Sequence, residues 1–536
     1  MSRRRSLVLA VALALPVSSC GSGDAPSDDA PSGGVHGTTG EGADVEAGGT
    51  FTFALAEDPD VLDPTFARTL VSREVFTNMC EKLYDVDQDL ELVPQLADSL
   101  PEVSSDGKTV TIKLRTGVKF NDGTPFDAEA VKTTLERNLN EPESARVADL
   151  GPLTEVTAVD EHTVELKMGT PYSPLTGALA DRAGMIMSPT ALEELGEDFG
   201  TAPQCVGPFT FESRKVGDEI VLKKSDQYYD KAQVKLDEID FKIITDPNVR
   251  LANLRSGDID AAERLAPTDI DQFDSNTDLR LITATSMGYQ GITVNIGNAE
   301  GVTLPVGKVD TALAGSQELR QAFSLAINRE TLNEVVFDGR YAPDCSPLPL
   351  TSAFREGTEC PEADPTKAKE MVEASGATVP VPVELILDTD PEAARVGQVI
   401  QGMAKEAGFD VTLSPTEFTS SLDQTDAGKF DTFSIGWSGR VDPDGNTYNF
   451  MHTGAPLNIA GLSDPRIDEA LDAARTTSDV EERKALYSEA LAAQAEQQGL
   501  IYLYHQLLYL GVAKNVDGLG YYDDGLPRLA TAGFTS

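Results

Sequence analysis

Between residues 381 and 413 the chain reads as strand, helix, strand, and that order limits the folds open to it. Residues 381–387 are an apolar run of strand length, a helix follows to Gly408, and residues 410–413 return to extended chain. A β-α-β unit places its two strands parallel in one sheet with the helix across its face, which excludes all-helical and all-strand architectures. The alternation recurs along the chain. Gly48-Gly49 precede a strand from Thr50 to Leu55, residues 110–114 form another between Asp106-Gly107 and Thr116-Gly117, and residues 163–167 a third. Asn121 to Pro125 form a turn, after which Asp127 caps a helix starting at Ala128. Residues 209–211 and 220–222 read as a hairpin across Gly217-Asp218. Residues 239–244 read as a strand, and Pro247 to Arg255 as a helix ending at Gly257. Leu319, Phe323, Ala326 and Ile327 share one helical face, a second helix runs from Thr331 to Gly339, and Pro365 opens a third that Gly376 closes.

The first twenty residues carry an export signature. Arg3, Arg4 and Arg5 precede an apolar run at residues 7–15, too short to cross a hydrocarbon layer about 30 Å thick. Val17-Ser18-Ser19-Cys20 resembles a bacterial lipobox, which makes residues 1–20 a leader and Cys20 the lipidated first residue of the mature chain. Residues 21–48, rich in Gly, Ser, Asp and Pro, read as a flexible tether. The remaining roughly 490 residues are too many for one core and imply two or three lobes. No later stretch reaches eighteen apolar residues.

With 43 basic against 88 acidic residues, the net charge of −45 argues against nucleic-acid or anionic-membrane partners. Apart from Cys20, four cysteines remain. They allow three pairings, and the turn-rich segment between Cys345 and Cys360 favours that pair and hence Cys80–Cys205. No cysteine spacing fits zinc. The four histidines are scattered, Gly301 and Gly307-Lys308 are misspaced for a phosphate loop and lack its Ser/Thr at Val309, and Arg440 occupies the last glycine position of a Gly-x-Ser-x-Gly elbow. The sequence therefore offers no catalytic constellation, metal or cofactor site.

A series of blocks resembles the extracytoplasmic solute-binding proteins of family 5, receptors of oligopeptide, dipeptide, nickel and glutathione importers. The blocks are Leu62-Asp63-Pro64-Thr65, Glu81-Lys82-Leu83-Tyr84-Asp85, residues 105–126 (SDGKTVTIKLRTGVKFNDGTPF), Val206-Gly207-Pro208-Phe209, residues 255–260 (RSGDID) and residues 319–329 (LRQAFSLAINR). The resemblance implies an α/β fold of the periplasmic-binding-protein type II, with two hinged lobes and a smaller extra domain on the first. Lobe I takes residues 49–76, 198–284 and 500–536, the extra domain residues 77–197, and lobe II residues 285–499. It also implies a monomer anchored outside the membrane, serving an ABC permease and its ATPases. The expected solute is a peptide, with a nickel chelate, a glutathione-like compound, a sugar or a sensing role as alternatives.

Trp437, the only tryptophan, with Ser438, Gly439, Arg440 and Asp442, is the segment that the resemblance places in the ligand cleft. Arg440 stands where peptide-binding members carry an aspartate for the peptide amine; it is open between binding an acidic ligand group, pairing internally with Asp442 or Asp444, and pointing away. Asp442 can alternatively supply the amine contact. Further candidates are Glu57 and Asp58 after the first strand, Tyr289 and Asn295 near one interlobe crossing, and His505 near the other, while Asp85 and Asp122 are expected to cap turns.

Overall fold

The computed structural model describes residues 35–38, 45–302, 304–349, 351–355 and 360–536. The expected leader, the expected lipidation site Cys20 and most of the stretch read as tether lie outside these residues.

The strands gather into three main sheets. The largest has ten strands, with Leu279–Thr285, Leu507–Ala513, Ala261–Ala262, Thr50–Leu55 and Glu238–Ile243 adjacent at its centre and the hairpin Glu219–Lys224 and Phe209–Lys215 at one edge. Val35–Thr38, inside the stretch read as tether, adds a strand parallel to Leu279–Thr285. Its main-chain pairing there is what composition could not show, because sheet hydrogen bonds do not depend on side chains.

A six-stranded sheet runs Ala342–Pro343, Leu500–His505, Tyr289–Val294, Thr432–Trp437, Val381–Leu387, Phe409–Pro415. Its last two strands are parallel and joined by the helix Pro391–Glu406, the β-α-β unit that the sequence pattern requires. The third sheet, four strands within residues 102–168, packs under the helix Ala128–Asn140. Its burial follows the alternation: Val110, Ile112, Val164 and Leu166 are buried, each worth about 1.5–3 kcal/mol relative to exposure.

Part of the acidic composition serves helix starts. Asp127, Asp246, Asp364, Asp390, Asp464 and Asp479 each cap a helix, accepting backbone N–H groups at the positive end of its dipole. Both disulfides form as the sequence favoured, with Cα–Cα distances of 4.9 Å for Cys80–Cys205 and 5.6 Å for Cys345–Cys360. Asp122 holds its turn as expected, accepting the Thr124 N–H at 2.8 Å. Asp85 is an ion-pair centre rather than a simple turn cap, bound by Lys82 at 2.6 Å and Arg528 at 3.2 Å.

The chain passes between the two large sheets twice. Leu279–Thr285 leads through Ser286, Met287 and Gly288 into Tyr289–Val294; Leu500–His505 returns through Gln506 into Leu507–Ala513. The strands pair with one another on both sides of the passage. This double connection defines the two-lobe architecture and sets the hinge beside Trp437.

Candidate functional site

Trp437 closes the strand Thr432–Trp437 directly opposite Tyr289, the first residue beyond the crossing. Two glycines make the approach possible. A Cβ on Gly288 would lie 1.8 Å from the Trp437 carbonyl oxygen. Gly439 has φ +81°, and a Cβ there would meet the Met287 carbonyl carbon at 2.4 Å. Any larger residue would push the tryptophan strand off the hinge.

Asn446 then fixes the turn. Its side-chain oxygen accepts from Trp437 Nε1 at 3.0 Å and from the Arg440 N–H at 2.8 Å, while Nδ2 donates to the Arg440 carbonyl at 2.8 Å. The indole meets Phe450 edge-on at 4.9 Å, and the Arg440 guanidinium lies 4.2 Å from the indole ring centre. Asn446 is 3% exposed; its role could have been suspected only from its place after Asp444-Gly445.

Arg440 does form an internal ion pair, but neither expected partner is the one. Its Nε lies 2.6 Å from Asp181 Oδ2, on the loop after the short helix Leu175–Ala178. Asp442 is taken by Arg483 through two hydrogen bonds of 3.0 and 2.7 Å, and Asp444 by Arg475 through two of 2.8 Å. Those arginines project from the helices Val480–Gln497 and Pro465–Thr476, packed against the turn, so both carboxylates are engaged before Arg440 can compete.

Asp181 also receives Arg73 Nε at 3.1 Å and has Arg182 Nε at 3.8 Å. Burial pushes the Asp181 carboxyl up, yet Arg440, Arg73, Arg182 and Arg146 outweigh it and hold it well below the usual carboxylate range. Burial drives Arg440 the other way, down to about 10, with Asp181 only partly restoring the charge. Arg73, Asp181, Met287, Arg440, Asp524 and Leu526 line a cavity of ≈ 20 Å³, room for about one water molecule.

The remaining candidates do not line this cavity, although Tyr289 and His505 stand at the crossing beside Trp437. Glu57 pairs with Arg264, and Asp58 with Arg214 at 2.7 Å, both outside the cavity lining. Tyr289 is buried edge-on against Tyr502 at 4.8 Å, and burial raises its hydroxyl pKa. Asn295, fully buried, donates to the carbonyls of Asn298, Gly428 and Phe430. His505 braces the crossing, its Nδ1 2.5 Å from the Gly288 carbonyl and its Nε2 2.8 Å from Asp344. The structure thus brings together Trp437, Ser438, Gly439 and Arg440, with Asp442 just behind them, and adds Arg73 and Asp181.

The model of the bacterial extracellular solute-binding proteins, family 5, matches residues 91–458. The chain belongs to that family. Among its relatives is the glutathione-binding protein GsiB of Pectobacterium atrosepticum, 29% identical over 458 residues, 83% of this chain and 85% of GsiB. The oligopeptide-binding protein AppA of Bacillus subtilis, solved with a nonapeptide, superimposes with a TM-score of 0.83 at 21% identity, covering 92% of this chain and 100% of AppA. AgaA of A. tumefaciens R10, solved with agropinic acid, gives 0.80 at 25% identity, covering 91% and 99%. As a family 5 protein, the chain has the type II two-lobe fold of ABC-importer receptors, with Trp437 beside the double crossing. No helix among the described residues is long and apolar enough to cross a membrane.

Proposed function

We propose that this family 5 chain captures a peptide or peptide-like solute between its lobes and hands it unchanged to an ABC permease. Lipidated Cys20 anchors it to the outer face of the membrane, and of residues 21–48 those ahead of the Val35–Thr38 strand supply the tether's reach. Residues 49–76, 198–284 and 500–536 form lobe I, residues 77–197 the module beside it, and residues 285–499 lobe II. The observation that carries the reading is the paired crossing at 286–288 and 506, with one cavity beside it lined from both sides of the hinge. Rotation about two short linkers exposes Trp437, Ser438 and Arg440. Closure then removes water and strengthens each polar contact to the solute. The glutathione-binding relatives support a small peptide-like solute over a long peptide.

Native mass spectrometry of the mature protein after incubation with a pool of di- to pentapeptides tests this. Recovery of intact peptide from a one-to-one complex is expected. Cleaved peptides would replace the receptor reading with a hydrolase, and retention of a nickel chelate or sugar in preference to every peptide would replace the solute class.

A further inference from the structure

The charges around the cavity do not balance, and the imbalance specifies what it accepts. Asp442 is matched by Arg483, Asp444 by Arg475 and Asp149 by Arg146. Asp524 and Asp85 are matched by Arg528 and Lys82. Asp181 alone faces three guanidiniums, Arg73, Arg182 and Arg440. One carboxylate against three cations leaves two positive charges in excess, in a chain whose total is −45. The side chains are 5%, 2% and 15% exposed, so water screens the excess poorly.

The geometry shows where the excess is presented. Arg182 is turned into the protein, donating to the carbonyls of Ala67 and Thr69. Arg73 and Arg440 both line the cavity, and their Nη1 atoms both reach Ser438 Oγ, at 3.4 and 3.3 Å, while Arg440 Nη1 also donates to the Gly439 carbonyl at 2.7 Å. Two guanidiniums meeting at one oxygen are arranged as they would be around a carboxylate oxygen. The cavity's own carboxylates, Asp181 and Asp524, are both committed to arginines, so neither is free to receive an ammonium group.

We propose that Arg73 and Arg440 form an anion subsite and that the captured solute is an acid, a peptide or peptide-like compound of net negative charge whose carboxylate docks between them when the lobes part, the closed cavity of ≈ 20 Å³ having room for about one water. Ser438 contributes its hydroxyl, and Asp181 holds the two forks in place. The proposal rests on the receptor reading above and deepens it.

Calorimetric titration of the mature protein tests it with four probes: glutathione, glutathione diethyl ester, triglutamate and trilysine, with Trp437 emission as a second readout. Glutathione or triglutamate is expected to bind at least tenfold more tightly than the ester and trilysine. Arg73→Gln and Arg440→Gln should each lose at least tenfold for the acidic probe, and Arg440→Lys should recover part of it. Near-UV circular dichroism identical to wild type keeps a folding defect from imitating the loss. Equal binding of acid and ester, or an unchanged Arg440→Gln, overturns the anion subsite and leaves the receptor standing. If a non-peptide acid is retained in native spectra while peptides are refused, the subsite stands and the peptide reading falls. Binding of no probe and retention of no solute overturns both.

Discussion

Two groups of buried arginines lie behind and beside the Trp437 turn, and they are built differently. Arg475 and Arg483 each fork onto one aspartate through two hydrogen bonds and lie against aromatic rings, Arg475 over Tyr448 and Arg483 over Phe354. Arg73, Arg182 and Arg440 share Asp181, and none of them forks onto it. The first arrangement is closed: charge, hydrogen bonds and packing are all satisfied within the protein, and it holds the turn to the helices behind. The second is open, with cationic capacity directed into the cavity. Buried arginine alone is therefore no sign of a binding site. Its ratio to carboxylate and the direction of its unused N–H groups separate scaffold from site.

The sharpest way to break the comparison is Asp181→Asn, which leaves three buried guanidiniums without a counter-charge. Removing one member of a buried ion network costs about 3–5 kcal/mol, and the upper end is expected here, measured by urea unfolding. A solute at a hundred times its Kd stabilises the variant by about 2.7 kcal/mol wherever it docks, so the Kd is the deciding readout: an acidic probe that binds Asp181→Asn as tightly as it binds wild type would mean that the solute does not touch these arginines. Next, Arg475→Met should cost about 3–4 kcal/mol by stranding Asp444, whose side chain is 4% exposed, without altering charge selectivity.

Glu81 sharpens the contrast from the acidic side. Its carboxylate accepts hydrogen bonds from Tyr228 at 2.6 Å and Tyr229 at 3.2 Å, and burial pushes it from 4.5 up to about 7. A raised carboxyl favours the protonated folded form. Its contribution is complete below pH 4.5 and is lost as pH rises through 7, about 3 kcal/mol in all. Glu81→Gln should flatten that part of the stability profile, and a profile identical to wild type would show that Glu81 titrates normally. Arg440→Gln should change stability by less than about 1 kcal/mol, because Arg73 and Arg182 still neutralise Asp181. A loss as large as that of Arg475→Met would erase the distinction between the two groups. The smallest effect belongs to Arg68→Ala, which removes a partly exposed pair with Asp426 worth at most about 0.5 kcal/mol; chemical denaturation midpoints resolve whether it exceeds that.

Much of the scaffold was readable in advance because periodicity and turn chemistry act locally. Val381–Leu387, the helix Pro247–Ser256 and the hairpin around Gly217-Asp218 follow from apolar spacing, Pro and Gly. The disulfide pairing followed from one turn-rich spacing. Trp437 and Arg440 were marked by their motif. Asp181 and Arg73 were not, because nothing local distinguishes them. They lie 259 and 367 residues before Arg440, so only the folded chain brings the three together. Glu57, Asp58 and Asn295 show the converse: their sequence context suggested a cleft, whereas arginine pairing and carbonyl capping use them elsewhere.

The Cys80–Cys205 bond also bears on how such a chain can be altered. Its cysteines are 125 positions apart in sequence, yet their Cα atoms lie 4.9 Å apart. The intervening stretch therefore leaves and re-enters the molecule through a single doorway. A segment with such neighbouring ends can be exchanged for another insert without either cut end having to travel, provided that the replacement restores the ion pairs it sends out, Arg137 to Asp63 and Asp181 to Arg440.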